Sequence, residues 1–122
     1  MSGDDVAWLS GVELVERYRD RSLSPLEVAN AHLARIERLD GRLNSYITVT
    51  AERAREKARE SEARYGKGAP LSALDGVPFA PKDIFATKGI LTTHGSKLGR
   101  GNVPRETATA VERSHSTPSS RI

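Results

Sequence analysis

GVPFAPKDIFATKGILTTHGS, running from Gly76 to Ser96, concentrates glycines, prolines, hydroxyls and a central lysine in a way that ordinary packing does not require. Lys82 follows a short apolar run made by Val77, Phe79 and Ala80. Bounded by turn residues, Val77 to Ala80 reads as a short strand that delivers Lys82 at its end. A lysine works as a base only if desolvation or a neighbouring positive charge lets it lose its proton. Val77, Phe79, Ala80, Ile84 and Phe85 can supply the desolvation. Asp83 can oppose it, although in a strand its side chain points to the other face. Thr92, Thr93 and Ser96, with Gly89 and Gly95, fit a tight loop beside a site. On residue chemistry alone Lys82 is either a catalytic base or a plain loop lysine, and the plain reading is the simpler one.

Upstream of this stretch the chain reads as helices. Ser10 with Glu13 forms a capping box, with Leu14, Val15 and Tyr18 facing inward and a stop near Asp20. Ser24-Pro25-Leu26-Glu27 is a stronger start, with Ser24 as cap and Pro25 in the first helical position. Leu26, Ala29, Leu33, Ile36 and Leu39 continue it at helical spacing, and Gly41 is expected to end it. Asn44 to Val49 is rich in β-formers and reads as strand-like or extended. Thr50 is expected to cap a third helix to about Tyr65, with Ala51, Ala54, Ala58 and Tyr65 on its apolar face. Its other face pairs Glu52 with Arg55, Glu56 with Arg59 and Lys57 with Glu60. These interleaved glutamates favour a solvated face over an RNA-binding one. Leu71 to Gly76 reads as a loop. A last helix is expected to begin at Arg105 and reach Arg113.

Composition sets the outer bounds. A chain of 122 residues allows one domain at most. Only 5% is aromatic, so a core rests on Leu, Val, Ile and Ala. A net charge of +3, scattered along the chain, does not call for nucleic acid. There is no cysteine to make a disulfide or a thiolate metal site. His32, His94 and His115 lack ligand spacing, so neither a metal nor a cofactor is expected. No run is long enough to span a membrane, and MSGDDVAWLS lacks an apolar signal region. A cytoplasmic location is the expectation.

Gly76-Val77-Pro78-Phe79-Ala80-Pro81-Lys82-Asp83, then Thr87, Gly89, Thr92-Thr93 and Gly95-Ser96, resembles the start of the amidase signature family. That family shows Gly-hydrophobic-Pro, a short apolar strand, Lys-Asp and a Thr-Thr-x-Gly-Ser loop. Leu14-Val15, Ser24-Pro25, Arg35-Ile36 and Leu43-Asn44-Ser45-Tyr46 are similar as well, so the resemblance covers about residues 8 to 113. It implies an α/β fold. The chain would be the N-terminal part of a mixed sheet covered by helices, with helices first, then the short strand carrying the lysine, and incomplete. It also implies amide hydrolysis through a Ser–cis-Ser–Lys triad in which Lys82 is the catalytic base.

Two departures from the family pattern stand out. Pro81 replaces an aliphatic residue and removes a strand N–H, which confines the position to an edge, an end or a bulge. The family's two serines lie downstream in a Gly/Ser-rich segment. Ser119-Ser120 follows Pro118 without flanking glycines and does not supply the tight turn with its oxyanion donors. The chain is therefore read as residues 1–113 of an amidase domain followed by a disordered or frameshifted tail over 114–122, inactive alone. The implied partner is a small-molecule amide in the full-length parent. A second reading is the glutaminase (A-type) subunit of a tRNA-dependent amidotransferase, with partner subunits, and Ser96-Lys97-Leu98 and Val103-Pro104 lean that way. A third is a non-enzymatic helical binding module. Neither nucleic-acid contact nor membrane contact is expected.

Overall fold

The computed structural model describes residues 2–115, so Ser119-Ser120 and most of the expected tail lie outside the described residues. Serine caps start the first helices. Ser2, Ser10 and Ser24 each accept a hydrogen bond from the amide of the third helical residue, whose carboxylate accepts from the cap amide in return. Each reciprocal cap satisfies two otherwise orphaned donors and contributes about 1 kcal/mol. They open α1 (Gly3–Val6), α2 (Gly11–Arg19) and α3 (Pro25–Leu43). Two further helices follow, α4 (Ala51–Gly66) and α5 (Thr109–His115). The short helix α1 was not legible in the sequence, because four residues carry no periodicity.

Two helix limits and one cap differ from expectation. α3 passes through Gly41, since one glycine weakens a helix by only about 1 kcal/mol. It ends where Asn44 turns left-handed, at φ 51°, and donates its amide to the Asp40 carbonyl at 2.7 Å. The Asp40 carboxylate then accepts the amides of Ser45 and Tyr46. Thr50 precedes α4 without a side-chain cap bond. α5 begins at Thr109, four residues beyond Arg105.

The sheet is the larger correction. Among the described residues there is no strand, only an isolated bridge between Thr87 and Ile90. The expected strand from Val77 to Ala80 does not form, and Pro78 and Pro81 remove two of the donors a ladder would use. Asn44 to Val49 is likewise not a strand. The described part is helical, and the α/β class expected from the resemblance is not seen in it.

The chain divides into two units, residues 1–78 and 79–122. In the first, α3 packs on α4 and α1, and α2 packs on α4. Val6, Leu14, Tyr18, Leu23, Val28 and Tyr65 form its core, with Leu9, Ala31 and Val77 at its edge. The inward face expected for α2 is the buried one. On α3 the expected apolar stripe of Leu26, Ala29, Leu33, Ile36 and Leu39 is only half-buried, and the buried residues are Pro25 and Val28, which lie outside it. Of the expected α4 pairs, Arg55–Glu52 and Lys57–Glu60 form. Asp4 of α1 reaches two arginines of α3, Arg35 at 3.0 Å and Arg38 at 2.5 Å.

Tyr18 and Tyr65 pack with ring centroids 5.4 Å apart and an interplanar angle of 59°, in the range aromatic pairs favour. Their hydroxyls donate to the carbonyls of Gly76 and Asp75 respectively. Burial pushes the Tyr18 phenol well above its ordinary value, and Tyr65 adds to the shift. Burial raises the Tyr65 phenol too, followed by the charge of Asp75. A group raised by folding favours the folded state fully below its unfolded value, about pH 10 for tyrosine, and loses that contribution as pH climbs through the folded value. The urea midpoint is therefore expected to fall steadily above about pH 10. In Tyr18→Phe, less stable at neutral pH, the alkaline fall is expected to be smaller. An equal slope in both proteins would refute this assignment.

Candidate active site

The Gly76–Ser96 stretch crosses from the first unit to the second, and each part has its own supports. In the first unit the decisive residue is Asp75, immediately before Gly76. Its carboxylate accepts two bonds from the Arg64 guanidinium, Nε at 2.7 Å and Nη2 at 2.6 Å, and one from the Leu71 amide at 2.9 Å. This fork-on-fork geometry is the strong form of ion pairing. Burial pushes the Asp75 carboxyl upward. The Arg64 guanidinium and the Leu71 amide outweigh it, leaving the group below its ordinary value. The Asp75 network was not anticipated from the sequence. The Asp75-Gly76 pair marks a turn, but its partner Arg64 looks like one more charge on the α4 surface.

Gly76 is required by both conformation and space. Its φ is +81°, and an added Cβ would meet Ser61 Oγ at 2.7 Å and Pro25 Cγ at 3.0 Å. Gly76→Ala is expected to destabilise the first unit by about 2–3 kcal/mol, from left-handed strain plus overpacking against α3 and α4. Chemical denaturation reads this directly. A loss under about 0.5 kcal/mol, the range of an ordinary surface change, would mean that the turn relaxes at no cost.

In the second unit the chain turns at Lys82. Its carbonyl accepts the amides of Ile84 at 2.7 Å and Phe85 at 3.0 Å. The Lys82 side chain is exposed. The aromatic and aliphatic neighbours expected to desolvate it do not enclose it, because Phe79, Ala80, Ile84 and Phe85 are exposed themselves. Asp83 does not pair with Lys82. Its carboxylate accepts the Thr93 amide at 2.8 Å and the Thr93 hydroxyl at short range, while its carbonyl accepts the His94 amide at 3.0 Å. The Thr93 hydroxyl and then its amide hold the Asp83 carboxyl below the usual range, and His94 adds to the effect.

The loop expected around Thr92 to Ser96 is present, and Thr92 and Thr93 are buried. The Thr93 hydroxyl also accepts the Gly95 amide at 3.2 Å. Asn102 clasps Thr92 on both sides, accepting its amide at 2.9 Å and donating Nδ2 to its carbonyl at 2.8 Å. His94 and Gly95 are both left-handed, with φ 54° and 69°. Ser96 caps a 3₁₀ turn over Lys97–Gly99 through the Leu98 amide. A Cβ on Gly99 would lie 2.3 Å from the Thr93 carbonyl oxygen, so only glycine fits there. Farther along, Gly89 donates to Pro104 and Lys88 to the Thr107 hydroxyl. Asn102 and Gly99 were not legible as loop supports, because their contacts depend on how the chain closes.

The family profile described as Amidase matches residues 27–117. The chain belongs to the amidase family. Among curated relatives, the A-type subunit of the glutamyl-tRNA(Gln) amidotransferase of Anaeromyxobacter sp. (strain K) is 48% identical over 93 residues, covering 76% of this chain and 19% of the relative. Its mitochondrial counterpart from Ornithorhynchus anatinus is 46% identical over 101 residues, 83% of this chain and 19% of the relative. The counterpart from Cutibacterium acnes is 40% identical over 110 residues, covering 90% and 22%. The chain thus spans about a fifth of the length of the curated relatives it matches. A solved structure matches it with TM-score 0.82 and 33% identity over 88% of this chain and 24% of the other. That structure is described as an unexpected vestigial protein complex revealing the evolutionary origins of an s-triazine catabolic enzyme, in inhibitor-bound form. The amidase membership expected from the Lys82 segment is thereby shown. Among the described residues, no helix of this amidase-family chain is long and apolar enough to cross a membrane.

Proposed function

We propose that this chain contributes the lysine of an amide-hydrolysing centre, and that the whole protein is the glutaminase (A-type) subunit of a tRNA-dependent amidotransferase. The observation that carries the reading is the ordered Lys82-Asp83 turn, hydrogen-bonded to the Thr92–Ser96 loop, within a chain 48% identical to such a subunit. In this reading Lys82 takes a proton through a bridging serine, and a second serine attacks the amide carbonyl. The carbon–nitrogen bond breaks, ammonia leaves with a proton, and water releases the acid from the acyl-serine. In this reading both serines, and the apolar cover that Lys82 needs, are expected from the region corresponding to the four fifths of the relatives' length not matched here. By themselves these 122 residues are expected to hydrolyse nothing. A stand-alone amide hydrolase is the second reading, supported by the match to the amidase family as a whole.

The test joins this chain to the downstream four fifths of the Anaeromyxobacter protein, in place of the matching segment. Glutamine hydrolysis with ammonia release, dependent on that protein's partner subunits, is the expected result. Hydrolysis of simple amides without partners would favour the second reading. A folded chimera with no turnover under either condition would exclude both and leave the non-enzymatic module.

A further inference from the structure

The most heavily bonded side chain next to Lys82 is one for which the reaction has no direct use. Asp83 places both carboxylate oxygens on Thr93, one on its amide and one on its hydroxyl, and places its carbonyl on the His94 amide. Thr93 in turn holds the Gly95 amide with the same hydroxyl. Two left-handed residues, His94 and Gly95, follow at once, so the loop has a single defined path beyond Thr93. Thr93 is itself pressed from behind by Gly99, with no room for a methyl group. The loop thus backs onto a fixed surface, and Asp83 fastens the lysine-bearing turn to it. A carboxylate adjacent to a lysine would ordinarily be free to pair with it. Here its lone pairs are directed at Thr93, and among the described residues Lys82 has no ion pair.

We infer that Asp83 is a positioning residue for Lys82, latching the lysine turn to the Thr92–Ser96 loop through Thr93 and keeping its own charge off the lysine amine. The inference rests on the amide-hydrolase reading for what Lys82 does, and goes beyond it in giving Asp83 and Thr93 one joint role. Both act through Lys82, and neither is assigned a contact with substrate.

In the chimera, Asp83→Ala and Thr93→Val are each expected to lower kcat about 10- to 100-fold with KM within about twofold. That is the size of effect a small misplacement of a reacting group produces. Because the two residues form one latch, the double variant is expected to be no worse than the poorer single variant. Thr93→Ser keeps the hydroxyl and is expected to recover turnover to within about threefold. Parent-like kcat in Asp83→Ala, or single losses that multiply in the double variant, would overturn the inference. So would kcat and KM moving together with a falling melting temperature, which marks a merely structural contact.

Amide exchange in the 122-residue chain separates failure of the latch from failure of the functional reading. Asp83→Ala is expected to reduce protection of the Thr93 and His94 amides at least about tenfold. Unchanged protection would overturn the latch whether or not the chimera is active.

Discussion

Replacing Lys82 by alanine in the amidotransferase chimera is expected to lower turnover about 10²- to 10⁴-fold, the range that a positioned general base contributes. The same change is expected to leave the melting temperature of the 122-residue chain almost unmoved. Lys82 is exposed and its side chain makes no ion pair among the described residues, and substitutions at such positions usually stay within about 0.5 kcal/mol. The pairing of a large kinetic loss with negligible thermal loss is the diagnostic result. Lys82→Arg sharpens it. Arginine keeps the positive charge but does not give up its proton in the working range, so it is expected to be as inactive as alanine. Activity retained in Lys82→Arg would mean that the residue acts by charge and not as a base.

Asp75→Ala is expected to have the opposite signature, with a large loss of stability. The Asp75 side chain is 5% exposed, and its removal leaves the Arg64 guanidinium and the Leu71 amide without their acceptor. Breaking a buried pair from one side costs about 3–5 kcal/mol. Arg64 is 26% exposed and can turn partly to water, so the lower figure of about 3 kcal/mol applies. For so small a unit that is a large share of the total. Urea denaturation followed by circular dichroism reads it.

The pH dependence carries an independent check on Asp75. Its carboxyl is depressed in the folded state, so the contribution is complete above the unfolded value, near pH 4. It is lost as pH falls toward the lower folded value. The parent is expected to weaken below about pH 4. Asp75→Ala, already lacking the interaction, is expected to show a shallower acid slope. Equal slopes would show that other carboxylates govern the acid limb.

What the sequence disclosed depended on the range of the interactions. Ser10 with Glu13 and Ser24 with Glu27 are three residues apart, so those caps were readable, and so was the inward face of α2. Asn44 as the stop of α3 was missed in favour of Gly41. A lone glycine is a weak breaker, whereas a left-handed asparagine supported by the Asp40 carboxylate is a strong one. The strand at Val77 to Ala80 was misread because β-formers between turn residues describe only one side of a ladder. Lys82, Asp83 and Thr93 were singled out from the motif, but their arrangement was not. Residue chemistry set Asp83 against Lys82, while closure of the loop gave its carboxylate to Thr93 across ten positions. Asp75 and Arg64 are joined across eleven, with nothing local to mark them.

The division of the chain after Pro78 falls inside the signature stretch, and this has a consequence for how the segment would decay under relaxed selection. Gly76 and Asp75 answer to folding alone, since their contacts lie in the helical unit. Under the proposed function, Lys82, Asp83 and Thr93 would answer to turnover. In a lineage that abandoned the reaction but kept the protein, drift would erase the second half of the stretch and spare the first. A surviving Asp-Gly beside a lost Lys-Asp would then date the loss of catalysis without any assay.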